Sequence, residues 1–306
     1  MRELKTTDLN LLKALDALLD EGSVTRAAER LHVTQPAMSG MLTRLRDVFQ
    51  DPLFVRSQRG IVPTPRALAL AGPLKEILGG IDALLQPVMF DPAAANFTLR
   101  LAATDYAQRA VAVPFLAALR RLAPGIRLAL LPLREAGLEE AMARGELDLA
   151  LLTPESTPAA LHARRLFDER YVCVMRAGHP AADLPTLDLD RFCAVEHALV
   201  SSSGGSFSGV TDEALARLGR SRRVSLSVPA FLVLPDILRA SDLVSVLPQR
   251  LVAGQPGLVQ RELPLEVPGF TKLLAWHPRS HQEPGQRWLR ELLASCCQAP
   301  GDCAAG

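Results

Sequence analysis

Hydrogen-bonding side chains gather in this sequence beside guanidinium groups: Thr34, Gln35, Ser39 and Thr43 stand among Arg44, Arg46, Arg56 and Arg59. That mixture suits nucleic acid, because amides and hydroxyls match base edges while arginine forks match phosphate oxygens. A second hydroxyl cluster, Ser201, Ser202 and Ser203, opens the run SSSGGSFSG. A nucleophile elbow needs glycine two residues after its serine, and Ser208 stands there after Ser206; no GxxxxGK phosphate loop occurs either. The run reads as a turn or a ligand-binding loop. His277 and His281 are four residues apart, but Pro278 between them spoils a helical metal face, and there is no HExxH. The cysteines Cys173, Cys193, Cys296, Cys297 and Cys303 contain no CxxC pair and suggest neither zinc nor a disulfide framework. The residues point to binding, with no catalytic group, metal ligand or cofactor expected.

Charge is placed to match. The formal net charge is only +1, yet Arg26, Arg30, Arg44, Arg46, Arg56, Arg59 and Arg66 face just Glu29, Asp47 and Asp51 over the same stretch. Asp8, Asp16, Asp20 and Glu21 precede it, so the first helix should lie away from phosphates. A chain of 306 residues with 48% hydrophobic and 22% charged residues is long enough for two folded domains. No apolar run resembles a signal peptide or a membrane span, which predicts a cytoplasmic protein without membrane contact.

Periodicity supplies the elements that position these groups. Leu11, Leu12, Leu15, Leu18 and Leu19 repeat at three and four residues, predicting a helix capped by Asp8 and ended by Gly22. Ser23 caps a second helix with Val24, Ala27, Ala28 and Leu31 inward. Thr34 caps a third, with Pro36 in its first turn and Met38, Met41, Leu42, Leu45, Val48 and Phe49 on one arc. Its other face carries Gln35, Pro36, Ser39, Gly40, Thr43, Arg44 and Arg46. Two helices joined by a tight turn match a recognition helix in a major groove. Leu53 to Arg56 and Ile61 to Val62 read as a hairpin with Gly60 at its turn, placing Arg56 and Arg59 on a wing. Thr64-Pro65 starts an apolar helix running to about Leu85, kinked at Gly72-Pro73, that needs a partner such as its own copy. Beyond it, strands at TLRLAATD, IRLALLPL, DLALLT, HALVSSS, RVSLSV, LVSVLP and FTKLLAWHP alternate with helices near 107–122, 134–143, 210–218, 230–239 and 282–295. That alternation predicts parallel sheets in two α/β lobes, the second inserted into the first.

The ordered combination of AAERLHVTQPAMS, DPLFVR and PTPRA within residues 8–67 closely resembles the N-terminal domain of LysR-type transcriptional regulators, and GELDLAL at Gly145 to Leu151 fits the layout of their effector domain. The resemblance implies a winged helix-turn-helix followed by a two-lobed α/β effector domain like a periplasmic binding protein. It implies a homodimer or tetramer on promoter DNA, with RNA polymerase as a further partner and a small-molecule effector that changes how the DNA is held. Thr34, Gln35, Pro36 and Ser39 would contact bases and backbone, and Arg56 with Pro63-Thr64 would meet phosphate or the minor groove. Gly40 stands where many members carry a long polar or basic side chain, which would pass readout to Arg44.

The candidate DNA-binding set is Ser23, Arg26, Arg30, Thr34, Gln35, Pro36, Ser39, Thr43, Arg44, Arg56, Arg59 and Thr64. Open parallel sheets bind ligands beyond the carboxyl ends of their strands, which selects Thr104, Asp105, Tyr106, Thr153, Ser201, Ser202, Ser203 and Phe231 for an anionic or aromatic effector. The domain boundaries expected are 1–64 for the winged unit, 65–87 for the dimerisation helix, 88–96 for a hinge, 97–296 for the effector domain and 297–306 for a flexible tail. Lobe I would take about 97–163 and 268–296, and lobe II about 164–267. A solute-binding protein of the same two-lobed fold is the alternative.

Overall fold

A computed structural model describes residues 8–58, 60–86, 89–184, 186–201 and 204–298. The chain forms two compact units, Met1–Val88 and Met89–Gly306.

In the first unit, α1 (Leu9–Glu21), α2 (Val24–Arg30) and α3 (Gln35–Phe49) begin at Asp8, Ser23 and Thr34, whose side chains accept the backbone N–H of Asn10, Arg26 and Ala37. Each cap satisfies an N–H that the first helical turn leaves without a partner. Gly22 ends α1 at φ 55°. Leu11, Leu15, Leu18, Met38, Leu45 and Phe54 fill the core, and Ala27 and Ala28 keep α2 close to its neighbours. β1 (Phe54–Ser57) and β2 (Gly60–Pro63) pair antiparallel as the wing. Gly60 has φ 130°, and a Cβ on it would lie 2.5 Å from the carbonyl oxygen of Gly22. Only glycine lets the wing touch the turn between α1 and α2, where Ile61 N–H donates to that same oxygen at 3.1 Å. Thr64 caps α4 (Pro65–Leu85), which runs as one helix through Pro73 and buries only Ala67 and Leu74.

The second unit has two five-stranded sheets. The first is ordered β4-β3-β5-β12-β6, from β3 (Thr98–Ala103), β4 (Arg127–Pro132), β5 (Leu149–Leu152), β6 (His162–Glu169) and β12 (Phe270–Trp276). The second is ordered β11-β7-β10-β8-β9, from β7 (Tyr171–Arg176), β8 (Glu196–Val200), β9 (Arg223–Val228), β10 (Val244–Pro248) and β11 (Leu258–Arg261). Helices α5 (Asp105–Ala107), α6 (Val113–Leu122), α7 (Leu138–Arg144) and α12 (Pro284–Ser295) accompany the first sheet in the chain; α8 (Leu189–Ala194), α9 (Val210–Arg217), α10 (Leu234–Arg239) and α11 (Gln249–Val252) accompany the second. A π-helical turn, Gln108–Ala112, joins α5 to α6.

Three expectations need correction. The sheets are mixed, not parallel: β3 and β8 have parallel neighbours, while β12, β6, β7 and β11 pair antiparallel. A strand that returns from the other lobe has no βαβ crossover to set its direction. Residue 164 does not open lobe II, because the whole of β6 pairs with β12 in the first sheet and the chain crosses only after Glu169. β6 was missed because it is an edge strand whose first four residues, HARR, are exposed, so no hydrophobic alternation marks it. The helix expected from Arg134 starts only at Leu138, behind Gly137 at φ 74°.

The chain crosses back at Gly269, where an added Cβ would collide with the carbonyl of Glu169. Glycine therefore lets the two crossover segments lie against each other.

Candidate nucleic-acid interface and effector cleft

The inner arc of α3 is fixed by burial of Met38, Leu42 and Leu45, which turns Gln35, Pro36, Gly40, Thr43 and Arg44 outward and leaves Ser39 half-buried. Gln35, Ser39 and Thr43 succeed one another at four-residue spacing, forming one ridge. Gln35 Nε2 lies 3.5 Å from Ser39 Oγ, and Thr43 Oγ1 donates to the Ser39 carbonyl at 3.1 Å. The ridge offers amide and hydroxyl groups with little competing engagement. Arg44 and Arg56 are exposed and make no hydrogen bond or ion pair among the described residues. Arg59 lies outside the described residues.

Arg26, Arg30 and Arg46 are occupied. Arg46 reaches from α3 to the wing, its Nε donating to the Pro52 carbonyl at 2.9 Å and its Nη2 to that of Phe54 at 3.2 Å. Arg30 bonds Asp20 at 2.8 Å and lies 3.6 Å from Asp16, and Arg26 pairs with Glu21 at 3.4 Å. Hydrogen bonds from Arg30 and then Lys75 hold the Asp20 carboxyl below its usual range. The acids of α1 thus neutralise the two α2 arginines placed in the candidate DNA-binding set. Thr64 Oγ1 accepts the Ala67 N–H and donates to Asp51 at 2.7 Å, so it also fastens the wing. Ser23 caps α2.

In the second unit, Thr104, Asp105, Tyr106 and Arg109 lie where the two lobes meet. Thr104 Oγ1 accepts the Ala107 N–H at 3.4 Å. Asp105 Oδ2 accepts the Leu232 N–H at 3.0 Å, and Arg109 Nε donates to the Leu251 carbonyl at 3.2 Å; both bonds tie lobe I to lobe II. Tyr106 is buried and its hydroxyl donates to Glu169 at the crossover. Burial, then that bond, push its phenol far above the ordinary range. The Phe231 ring stands 6.0 Å from the Tyr106 ring and the Phe270 ring 5.5 Å from it. Asp105, Tyr106 and Phe231 therefore come together, with Thr104 adjoining. Thr153 and Ser201 stay engaged with their own loops, Thr153 Oγ1 at 3.2 Å from Ser156 Oγ and Ser201 Oγ accepting the Ser206 N–H at 3.3 Å. Ser202 and Ser203 lie outside the described residues.

A family model for the bacterial regulatory helix-turn-helix protein, lysR family, matches residues 9–68, and one for the LysR substrate binding domain matches residues 94–298. The chain belongs to the LysR family. The transcriptional activator NagR of a Ralstonia species is 39% identical over 297 residues, covering 95% of this chain and 97% of NagR. The transcriptional activator NahR of Pseudomonas putida is 35% identical over 295 residues, covering 95% and 98%. A solved probable transcriptional regulator from Pseudomonas aeruginosa, 32% identical, superimposes with a TM-score of 0.56 over 95% of this chain and 97% of that one. This LysR-family protein is a DNA-binding transcription regulator with an effector-binding domain, and not an enzyme. The helix-turn-helix match removes the solute-binding alternative. No helix among the described residues is long and apolar enough to cross a membrane.

Sequence reasoning missed the crossover residues of this LysR domain: Glu169, Phe270 and Lys272. Glu169 accepts from Tyr106 and from the N–H groups of Arg170 and Arg250. Lys272 is buried on β12 between the rings of Tyr106 and Phe270. A single lysine inside the otherwise apolar strand FTKLLAW was the available signal.

Proposed function

We propose that this regulator reads promoter DNA in the major groove with the Gln35, Ser39 and Thr43 ridge, with Thr34 and Pro36 at the groove edge and phosphates held by Arg44, Arg56 and Arg59. Ser23 and Thr64 position the helix and wing ends, and Arg26 and Arg30 serve chiefly to brace α2 on α1. The observation that carries this reading is the alignment of three hydrogen-bonding side chains on one helix face beside two arginines that nothing among the described residues engages. Base contacts specify sequence, whereas phosphate contacts set affinity and salt dependence. Selecting bound genomic fragments from a random library tests it: Gln35→Ala should change the enriched motif, and Arg44→Ala should weaken all fragments alike and lower the salt slope by about one. A motif indifferent to Gln35 and a slope indifferent to Arg44 would remove both assignments.

The effector is proposed to bind between the lobes over Thr104, Asp105, Tyr106 and Phe231, with Thr153 and Ser201, Ser202 and Ser203 at the rim. Its differential affinity for two arrangements of the lobes would supply the switching energy. The proposed domains are 1–64 for the winged unit, 65–87 with α4 as the dimerisation helix, 88–96 for the hinge and 97–296 for the effector domain. Its exposed Leu68, Ile77, Leu84 and Leu85 support a homodimer, itself able to pair as a tetramer. The names of NagR and NahR favour activation, hence contact with RNA polymerase, in the cytoplasm.

A further inference from the structure

We infer that the lobe built on the first sheet holds a second ligand site, and that this site takes a primary ammonium on a short apolar body, anchored by the Asp148 carboxylate. The site is a cavity of about 320 Å³ between the turn that joins α7 to β5 and the segment that joins β12 to α12. All of its lining belongs to that lobe and none to lobe II, so it stands apart from the effector cleft proposed above. Gly145, Leu147 and Asp148 of the GELDLAL run contribute to it, a motif with no part in DNA or effector binding as proposed.

One side of the cavity is apolar, from Phe97, Met142 and Leu147. The other is rich in acceptors and short of donors. Asp148 is half-buried; its Oδ2 accepts the Arg100 N–H at 2.8 Å, while its Oδ1 has no hydrogen bond or ion pair among the described residues. Burial raises its carboxyl above the ordinary range despite that bond, as expected of a carboxylate without a close counter-charge. Gln286 Oε1 is buried and has no hydrogen-bond partner among the described residues. A desolvated acceptor without a donor is unfavourable, which marks both atoms as places for the donors of a ligand.

The other polar groups around the cavity are committed. Arg279 Nη1 donates to the Ala143 carbonyl at 2.7 Å and makes no ion pair among the described residues. Gly145 makes room for this, since a Cβ there would lie 2.7 Å from the same nitrogen. The guanidinium thus settles on the carbonyl end of α7, where the helix dipole attracts it. Glu283 accepts the N–H groups of Gly285 and Gln286 at the start of α12, His277 Nδ1 accepts the Arg279 N–H, and Ser280 Oγ donates to the His277 carbonyl. Asp148 and Glu283 face the single guanidinium of Arg279, an excess of negative charge. An ammonium brings one positive charge and three donors with no acceptor, and its compact charge suits two acceptors on separate elements better than a planar fork does. A void of about 150 Å³ admits benzene, so the cavity has room for a ring with an aminomethyl group.

The test is thermal melting of the full chain with benzylammonium chloride or neutral benzyl alcohol, at matched ionic strength and about 10 mM, a concentration that reveals even millimolar affinity. It uses the wild type, Asp148→Asn, Gln286→Leu and Phe231→Ala. Benzylammonium should raise the wild-type Tm, and benzyl alcohol should act at least several-fold more weakly. Asp148→Asn, which keeps an acceptor for the Arg100 N–H, should abolish the benzylammonium shift. Gln286→Leu should weaken it several-fold and, having shed an unpaired acceptor, should melt higher than wild type without ligand. Phe231→Ala should leave the shift intact. A shift that survives both Asp148→Asn and Gln286→Leu overturns the site, and one lost in Phe231→Ala alone places the amine between the lobes and overturns it equally. Equal shifts from the alcohol and the ammonium overturn the amine class. A wild type unmoved by benzylammonium shows a cavity that holds water alone and overturns the proposal outright.

Discussion

His197 is wholly buried in lobe II, where its Nε2–H donates to the Phe192 carbonyl at 2.8 Å and its Nδ1 faces Arg222 at 3.4 Å. Arg222 in turn holds Asp212 through two bonds of 2.9 Å. Burial pushes the His197 imidazole down to about 4, below the ordinary 6.5. A group whose folded value is depressed contributes stability above its unfolded value and loses it as pH falls towards the folded one. The second unit should therefore keep this contribution at pH 7.5 and lose up to about 3 kcal/mol between pH 6.5 and 4. Urea melts at pH 7.5 and 5.0 check it, and His197→Asn should flatten the difference; parallel losses in variant and wild type would reject the assignment. At Gly40, by contrast, an added Cβ meets nothing within 4 Å. Gly40→Ala should stabilise the first unit by about 0.5–1 kcal/mol, read as a higher urea midpoint.

Helix starts were legible because Asp8, Ser23, Thr34 and Thr64 each announce an unmet N–H, and all four side chains accept one. The wing was legible through Gly60, yet its dependence on Gly22 was not, since the contact joins residues far apart in the chain. Gly60→Ala should cost about 2 kcal/mol or more through the left-handed backbone and the collision with the Gly22 carbonyl, opposite in sign to Gly40→Ala. It should also weaken DNA binding at every sequence, measured by titration at fixed salt. Arg46 illustrates the same limit. Its place on the polar arc of α3 suggests a DNA contact, but only three-dimensional geometry reveals that it grips the Pro52 and Phe54 carbonyls. The missed strands β6, β7 and β11 belong to a common cause: antiparallel returns carry no βαβ signature, and β6 is half-exposed.

For the molecule as a whole, two lobes and an amino-terminal DNA-binding unit could be read from the switch between helical and alternating patterns. The candidate cleft was legible only in part. Strand ends selected Asp105, Tyr106 and Phe231, which do meet, but the crossover residues Glu169 and Lys272 sit on strands whose pairing no local pattern discloses. The Asp105 and Arg109 bonds across the gap imply a lobe equilibrium tunable by small changes. Asp105→Ala should shift it by about 1 kcal/mol, seen as faster hydrogen exchange at the crossover segments; unchanged exchange would deny the tie any weight. The surface proposed to face DNA has a different sort of consequence. Between Lys13 and Lys75 every cation other than histidine is a guanidinium, Arg44 and Arg56 included. Acyl donors that silence lysine-based nucleic-acid binders would find no amine on that proposed surface to modify, which would leave the effector domain, and not acetylation of the grip, as the route by which metabolic state reaches the promoter.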